Sequence, residues 1–383
     1  MLKLLSSKTL RKFIRNPAHS FAAGKDRLSV QLAASYLNGY SPYPKNLTFF
    51  LTYRCNLRCN VCGQWGLTGY AKKLTGKQLA DEVDIATLKR VLDEAALFKP
   101  QITMCGGETL LYKNWFEFMS YVKSKGMECI LTTNGTLLEQ NAEKIVEAGL
   151  DKLSLSLDGP EKIHNKARGR EGVFQKALSG ISLINDFKKK KNTAYPKLEI
   201  GCTISDQNYA HLDKLIAIAE SLDVSTLILL HLFFLNEREF GRQESLFRKL
   251  FQTESLHWSG YRYNPRQLDL NCLTGKLHEL RKYRGKVQVI IYPDFTDEEI
   301  RQYYERPVFL SSSYKNICLA PWTTVYILPN GDISPCSSFV AGNIRDKRFK
   351  EIWNNQEMKR FRRELRNRKF FPVCPRCCEF YKH

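Results

Sequence analysis

The chain has 383 residues, 43% hydrophobic and 12% aromatic, with 59 Lys and Arg against 39 Asp and Glu and a formal charge of +20. Two or three domains with real cores are affordable at that length, and global disorder is excluded. No apolar run approaches the ~20 residues of a membrane-spanning helix and no secretory signal is visible at the start, so a cytoplasmic protein is expected.

The positive balance favours anionic partners, or else reflects a solvated basic surface. No nucleic-acid module is recognisable, and no nucleic acid is expected. Twelve cysteines are many for a reducing compartment, where a disulfide framework does not form. Cys105, Cys129, Cys202 and Cys272 stand alone and read as small buried hydrophobes. The others fall into two clusters.

Residues 1–45 read as a basic N-terminal extension. Leu2, Leu4, Leu5, Leu10, Phe13 and Ile14 interleave with Lys3, Lys8, Arg11, Lys12 and Arg15. That pattern predicts an amphipathic helix which either packs on the main domain or makes peripheral membrane contact through residues 1–16. Pro42 and Pro44 break the chain before a first strand at 46–52. Helices are then expected at 84–97, 115–125, 139–148, 173–186 and 212–221. Strands are expected at 101–105, 128–132, 152–157, 197–204 and 226–231. Lys188 to Lys191 read as a solvated loop. Six strand–helix units over 46–231 imply an α/β fold, a parallel sheet with outer helices that is either doubly wound or rolled towards a barrel. Reactive groups in such barrels collect at the C-terminal ends of the strands. Residues 232–310 read as the end of the barrel and a linker, with a polar helix at 237–251 and a strand at 287–292. Residues 311–383 are turn-rich and read as a separate small domain.

The first cluster is Cys55, Cys59 and Cys62, spaced by three and two residues directly after the first strand. One short loop can wrap three thiolates around one metal centre at these spacings. Structural zinc takes four ligands, and no fourth lies nearby in sequence. Three cysteines on a cubane leave one iron open for chemistry. The pattern Cys-x3-Cys-x2-Cys in this setting resembles the signature of the radical S-adenosylmethionine (SAM) superfamily, over about residues 46 to 231. The resemblance implies a partial (β/α)6 barrel and a 4Fe–4S cluster whose open iron binds the amino and carboxylate groups of SAM. It also implies reductive cleavage to a 5′-deoxyadenosyl radical that abstracts hydrogen from substrate. The cofactor carries that step, and the protein positions it.

Further segments follow in the family's order. Gly106-Gly107-Glu108 resembles the Gly-Gly-Glu motif that contacts the SAM amino group, with Thr109 where the family often has Pro. Thr133 and Asn134 end the third strand, and Ser156 and Asp158 the fourth; the family uses polar groups there near SAM, although each also suits an ordinary turn. Arg168 resembles a family arginine near the SAM carboxylate, for which a guanidinium is well shaped. Ile204 stands where the family packs an apolar residue against adenine; ordinary core is the other reading.

The second cluster comprises Cys318, Cys336, Cys374, Cys377 and Cys378. An Asn330-Gly331 turn fits a hairpin that delivers Cys336 beside Cys318. The segment resembles the SPASM or twitch extension of radical SAM enzymes, which implies an auxiliary 4Fe–4S cluster. Cys318, Cys336, Cys374 and Cys377 are its expected ligands and Cys378 the spare, able to take the place of Cys377, with structural zinc as the alternative. A fully ligated cluster would accept or relay an electron and favour substrate oxidation or bond formation. The reductant expected is a flavodoxin or ferredoxin.

For the substrate, a small molecule or lipid is favoured over a peptide. Only about 45 residues precede the first strand, too few for the peptide-binding module of many maturases or for a cobalamin domain. A non-enzymatic iron–sulfur carrier or redox sensor is the reading of another class, and has no use for the SAM-contact segments. No catalytic acid or base is assigned. His231 and Asp294 end strands, where a core histidine and a turn aspartate are the ordinary readings.

Overall fold

The computed structural model describes residues 28–265 and 268–382; the basic stretch 1–16 lies outside them. Ten strands form one sheet: β1 Asn46–Phe50, β2 Gln101–Cys105, β3 Cys129–Thr133, β4 Lys152–Ser156, β5 Lys197–Ile204, β6 Thr226–His231, β7 Gln288–Tyr292, β8 Thr324–Ile327, β9 Asp332–Ser334 and β10 Gly342–Asn343. Their order is β10-β9-β8-β1-β2-β3-β4-β5-β6-β7. Strands β1 to β7 are parallel neighbours in chain order. A doubly wound sheet reverses its strand order at a switch point. This one does not, and so follows the barrel alternative. β8 joins the same sheet parallel to β1, and β9 and β10 add antiparallel. The cysteine-rich C-terminal region is therefore continuous with the barrel through main-chain hydrogen bonds.

The strand alternation explains where the cavity lies. Leu47 and Phe49, Ile102 and Met104, Leu153 and Leu155, and Ile200, Cys202 and Ile204 are buried in the main core. Positions of opposite parity include the small residues Thr48, Thr103, Thr132, Ser154, Ser156, Gly201 and Thr203. Opposite faces of one strand thus serve different ends.

Two sequence expectations change. The helix from Val173 continues through Lys190, so the lysine run is its last turn and not a loop; lysine is a good helix former, and cations suit a helix C-terminus. Helices at Glu161–Arg168, Leu270–Lys282, Asp297–Glu305 and Gln356–Arg368 were not anticipated. The last of these carries the buried Arg362. It donates from Nε to the Pro321 carbonyl (2.8 Å) and from Nη1 to the Gly39 carbonyl (3.1 Å) and Asn354 Oδ1 (2.9 Å). Its guanidinium lies 4.1 Å over Trp353, and burial pushes its pKa down to about 9. R362A is expected to cost about 3 kcal/mol by removing these bonds and that packing. Chemical denaturation would show a lower midpoint.

Candidate active site

The loop after β1 carries Cys55, Cys59 and Cys62 into a cavity of about 430 Å³ at the C-terminal ends of the strands. The loop is fixed by its own backbone: Asn60 N–H donates to the Ala167 carbonyl (3.2 Å) and Gly66 N–H to the Cys62 carbonyl (2.7 Å). Donors already face the sulfurs. Trp65 N–H lies 3.4 Å from Cys62 Sγ, and Arg168 Nη1 lies 3.8 Å from Cys59 Sγ. Burial pushes the Cys55 thiol up to about 12 and raises Cys59. Such thiols become thiolates when a cationic metal centre supplies the compensating charge.

Gly106 and Gly107 line the same cavity. Gly106 has φ of +142°, and a Cβ on Gly107 would sit 2.1 Å from the Arg54 carbonyl oxygen. Gly107 N–H donates to the Thr52 carbonyl (2.8 Å) and Glu108 N–H to that of Arg54 (2.9 Å). The glycines thus let the β2 turn dock on the backbone of the cysteine loop.

Thr133, Asn134, Ser156, Asp158 and Arg168 also line the cavity. Asp158 and Arg168 form a two-pronged pair, with Nε to Oδ2 at 2.6 Å and Nη2 to Oδ1 at 3.0 Å. Asp158 N–H donates to Nδ1 of buried His164 (3.2 Å), whose pKa burial lowers to about 3, so that ring stays neutral.

Two expected contacts stand behind the wall. Glu108 is fully buried and accepts from Thr133 Oγ1 (2.7 Å), Leu110 N–H (3.1 Å) and Asn134 N–H (2.8 Å). It ties the end of β2 to the end of β3. Ile204 has the parity of the helix-packed face of β5. Its neighbours Thr203 and Ser205 line the cavity instead. Cys105, read from sequence as an isolated hydrophobe, is also on the wall, with its thiol pushed up to about 12 by burial. Its position at the end of β2 was the available signal. His231, of core parity, packs against Phe295, Tyr303 and Tyr304.

Cys318, Cys336, Cys374 and Cys377 line a second cavity of about 60 Å³; Cys378 does not. The expected hairpin is present: β8 and β9 flank Gly331, whose φ is +90°. Phe371 N–H donates to Cys374 Sγ (3.3 Å). Among the described residues no three His, Cys, Asp or Glu side chains converge on a single-ion site. The four cysteines line one small space. Between the two thiol sites stand Tyr261, packed so closely on Gly63 that a Cβ there would lie 2.3 Å from its ring, and Trp258. Their ring centroids are 6.2 Å apart, and Trp258 lines the second cavity.

A barrel with three thiols at its mouth and four more gathered from the flanks of an added hairpin and the C-terminal segment defines an iron–sulfur enzyme class. The family model described as the radical SAM superfamily matches residues 49–196, and that of the SPASM iron–sulfur cluster-binding domain matches residues 318–378. The chain belongs to the radical SAM superfamily and carries a SPASM domain, which imply a SAM-binding 4Fe–4S cluster and an auxiliary cluster. It is similar to an AdoMet-dependent heme synthase of Methanosarcina barkeri, 28% identical over 82% of this chain and 83% of the relative. An Fe-coproporphyrin III synthase of the same organism is 27% identical over 67% of this chain and 63% of the relative. In fold it resembles SuiB of Streptococcus suis bound to SAM, with a TM-score of 0.61, 13% identity, and coverage of 95% of this chain and 75% of that one. No helix among the described residues is long and apolar enough to cross a membrane.

Proposed function

We propose that this enzyme holds its SAM-binding cluster on Cys55, Cys59 and Cys62 and acts on a small molecule of the tetrapyrrole class. The observation that carries the reading is the single cavity shared by those three thiols, the Gly106-Gly107 turn and the Asp158–Arg168 pair. The substrate class is supported by the two Methanosarcina relatives. When bound, the cluster and SAM supply reductive SAM cleavage and hydrogen abstraction. The chain's own residues position and enclose them: the glycine turn lets backbone approach SAM, Thr133, Asn134 and Ser156 offer polar contacts, and Arg168 faces the SAM carboxylate. Glu108 acts from behind, by fixing Thr133 and Asn134. Ile204 contributes by setting the register of β5. Cys318, Cys336, Cys374 and Cys377 would hold the auxiliary cluster, which would offer an electron acceptor for the substrate radical, and a flavodoxin or ferredoxin would be the reductant. Residues 46–231 form the core domain, 232–310 complete the barrel, and 311–383 form the auxiliary domain.

Anaerobic reconstitution followed by SAM and dithionite is expected to yield 5′-deoxyadenosine. Its absence with both clusters intact would sink the proposal. R168K keeps one charge but loses the planar fork. It is expected to weaken SAM binding about tenfold, roughly one charge-assisted hydrogen bond, with iron content unchanged. Anaerobic calorimetric titration would measure it.

A further inference from the structure

A cavity of about 840 Å³ opens at the same end of the sheet, between the segment following β6, the loop around Tyr263 and the loop at 305–307. That volume suits a ligand of several hundred daltons. Its walls are built in advance. Arg376, 2% exposed, donates to Glu239 Oε1 (3.0 Å), to the Arg306 carbonyl (2.7 Å) and to the Tyr303 carbonyl. Its guanidinium lies 4.4 Å over the ring of Phe234. The 305–307 loop is thereby clamped against Phe234. On the other side Leu235 N–H donates to the Tyr261 carbonyl (2.8 Å) and Tyr263 N–H to that of Leu235 (3.3 Å). Phe234 and Tyr304 stack nearly parallel, 5.9 Å apart at 8°.

The wall carries four arginines against two glutamates, Glu237 and Glu305. Arg376 is committed to its clamp. Arg262 is held loosely, by a 3.4 Å bond from Nε to the Ser259 carbonyl, a 3.5 Å contact to Glu237 and a position 5.1 Å over the Phe240 ring. Arg238 and Arg306 are exposed on the wall, and neither guanidinium has a partner among the described residues. Unpaired guanidinium forks around an aromatic surface suit a planar molecule bearing several carboxylates. The cavity also abuts the thiol cavity. Tyr263 Oη donates to Asp206 Oδ2 at 2.6 Å, and Asp206 lies between Ser205 and Gln207, both on the thiol-cavity wall.

We infer that this arginine-lined cavity is the substrate's docking site, where Arg238, Arg262 and Arg306 take the carboxylates of a planar polycarboxylated ring system laid towards Phe234 and Tyr304. The assignment rests on the small-molecule reading above and adds its place in the fold. The test is a titration of the reconstituted holoenzyme with Fe-coproporphyrin III, a tetracarboxylate, followed by its absorbance and by tryptophan quenching. Saturable binding is expected, weakened at least tenfold in R238A/R306A and unchanged in K189A, which lies in a basic cleft beside the start of β5 at the opposite end of the strands. No saturable binding by the wild type, or equal affinity in R238A/R306A, overturns the assignment. Binding is read without turnover. Failure here is therefore distinct from failure of the enzyme reading, which would show as no 5′-deoxyadenosine from SAM and dithionite.

Discussion

Alanine at Cys55, Cys59 and Cys62 together is expected to reduce 5′-deoxyadenosine formation to background and to lower the iron content from about eight to about four per chain. The loss should be confined to one site because the loop is also anchored by bonds that do not involve the thiols. Its backbone is held by Ala167 and by the turn from Cys62 to Gly66, the β2 turn docks on Thr52 and Arg54, and Arg58 lies 4.1 Å over Trp65. The second set of thiols lies in a separate cavity built from a different part of the chain. Iron quantification and product chromatography on the same preparation separate the outcomes. Unchanged SAM cleavage would show that the open iron is elsewhere. Loss of all iron would show that the two sites do not form independently.

Much of this was legible because it is local. β2, β5 and β6 have the ends that alternation and flanking turns predicted, and the two cysteine spacings needed only a loop and a hairpin. What was not legible depends on parity or on distant pairing. Ile204 and Thr203 are adjacent, and a one-residue shift of register exchanges the cavity wall for the helix-packed face. Cys105 looked solitary because the other thiols of the cavity lie more than forty residues away in sequence. The pairing of β8 with β1 joins residues nearly three hundred positions apart, and nothing in residues 311–383 alone announces it. The arginine cavity is the extreme case. Arg238, Arg262, Arg306 and Arg376 come from four separate segments, and among 59 basic residues no spacing distinguishes them.

Cys377 and Cys378 should behave oppositely. C377A is expected to lose about four iron atoms per chain, and C378S to retain about eight. The two thiols are hydrogen-bonded to each other, which raises Cys377 and lowers Cys378, yet only Cys377 lines the cavity with Cys318, Cys336 and Cys374. Cys377 N–H donates to the Cys374 carbonyl (2.9 Å), which seats Cys377 on the cavity shared with Cys318, Cys336 and Cys374. The Cys378 carbonyl is meanwhile held by Tyr292 Oη at 3.0 Å. Equal iron loss in C378S would overturn the ligand assignment. The catalytic consequence follows from the two thiol sites lining separate cavities. In C377A, SAM cleavage with dithionite should persist while conversion of substrate falls to background, since hydrogen abstraction needs only the first site and disposal of the substrate's electron needs the second. Loss of both together would place the second site upstream of SAM cleavage, as a conduit for the incoming electron.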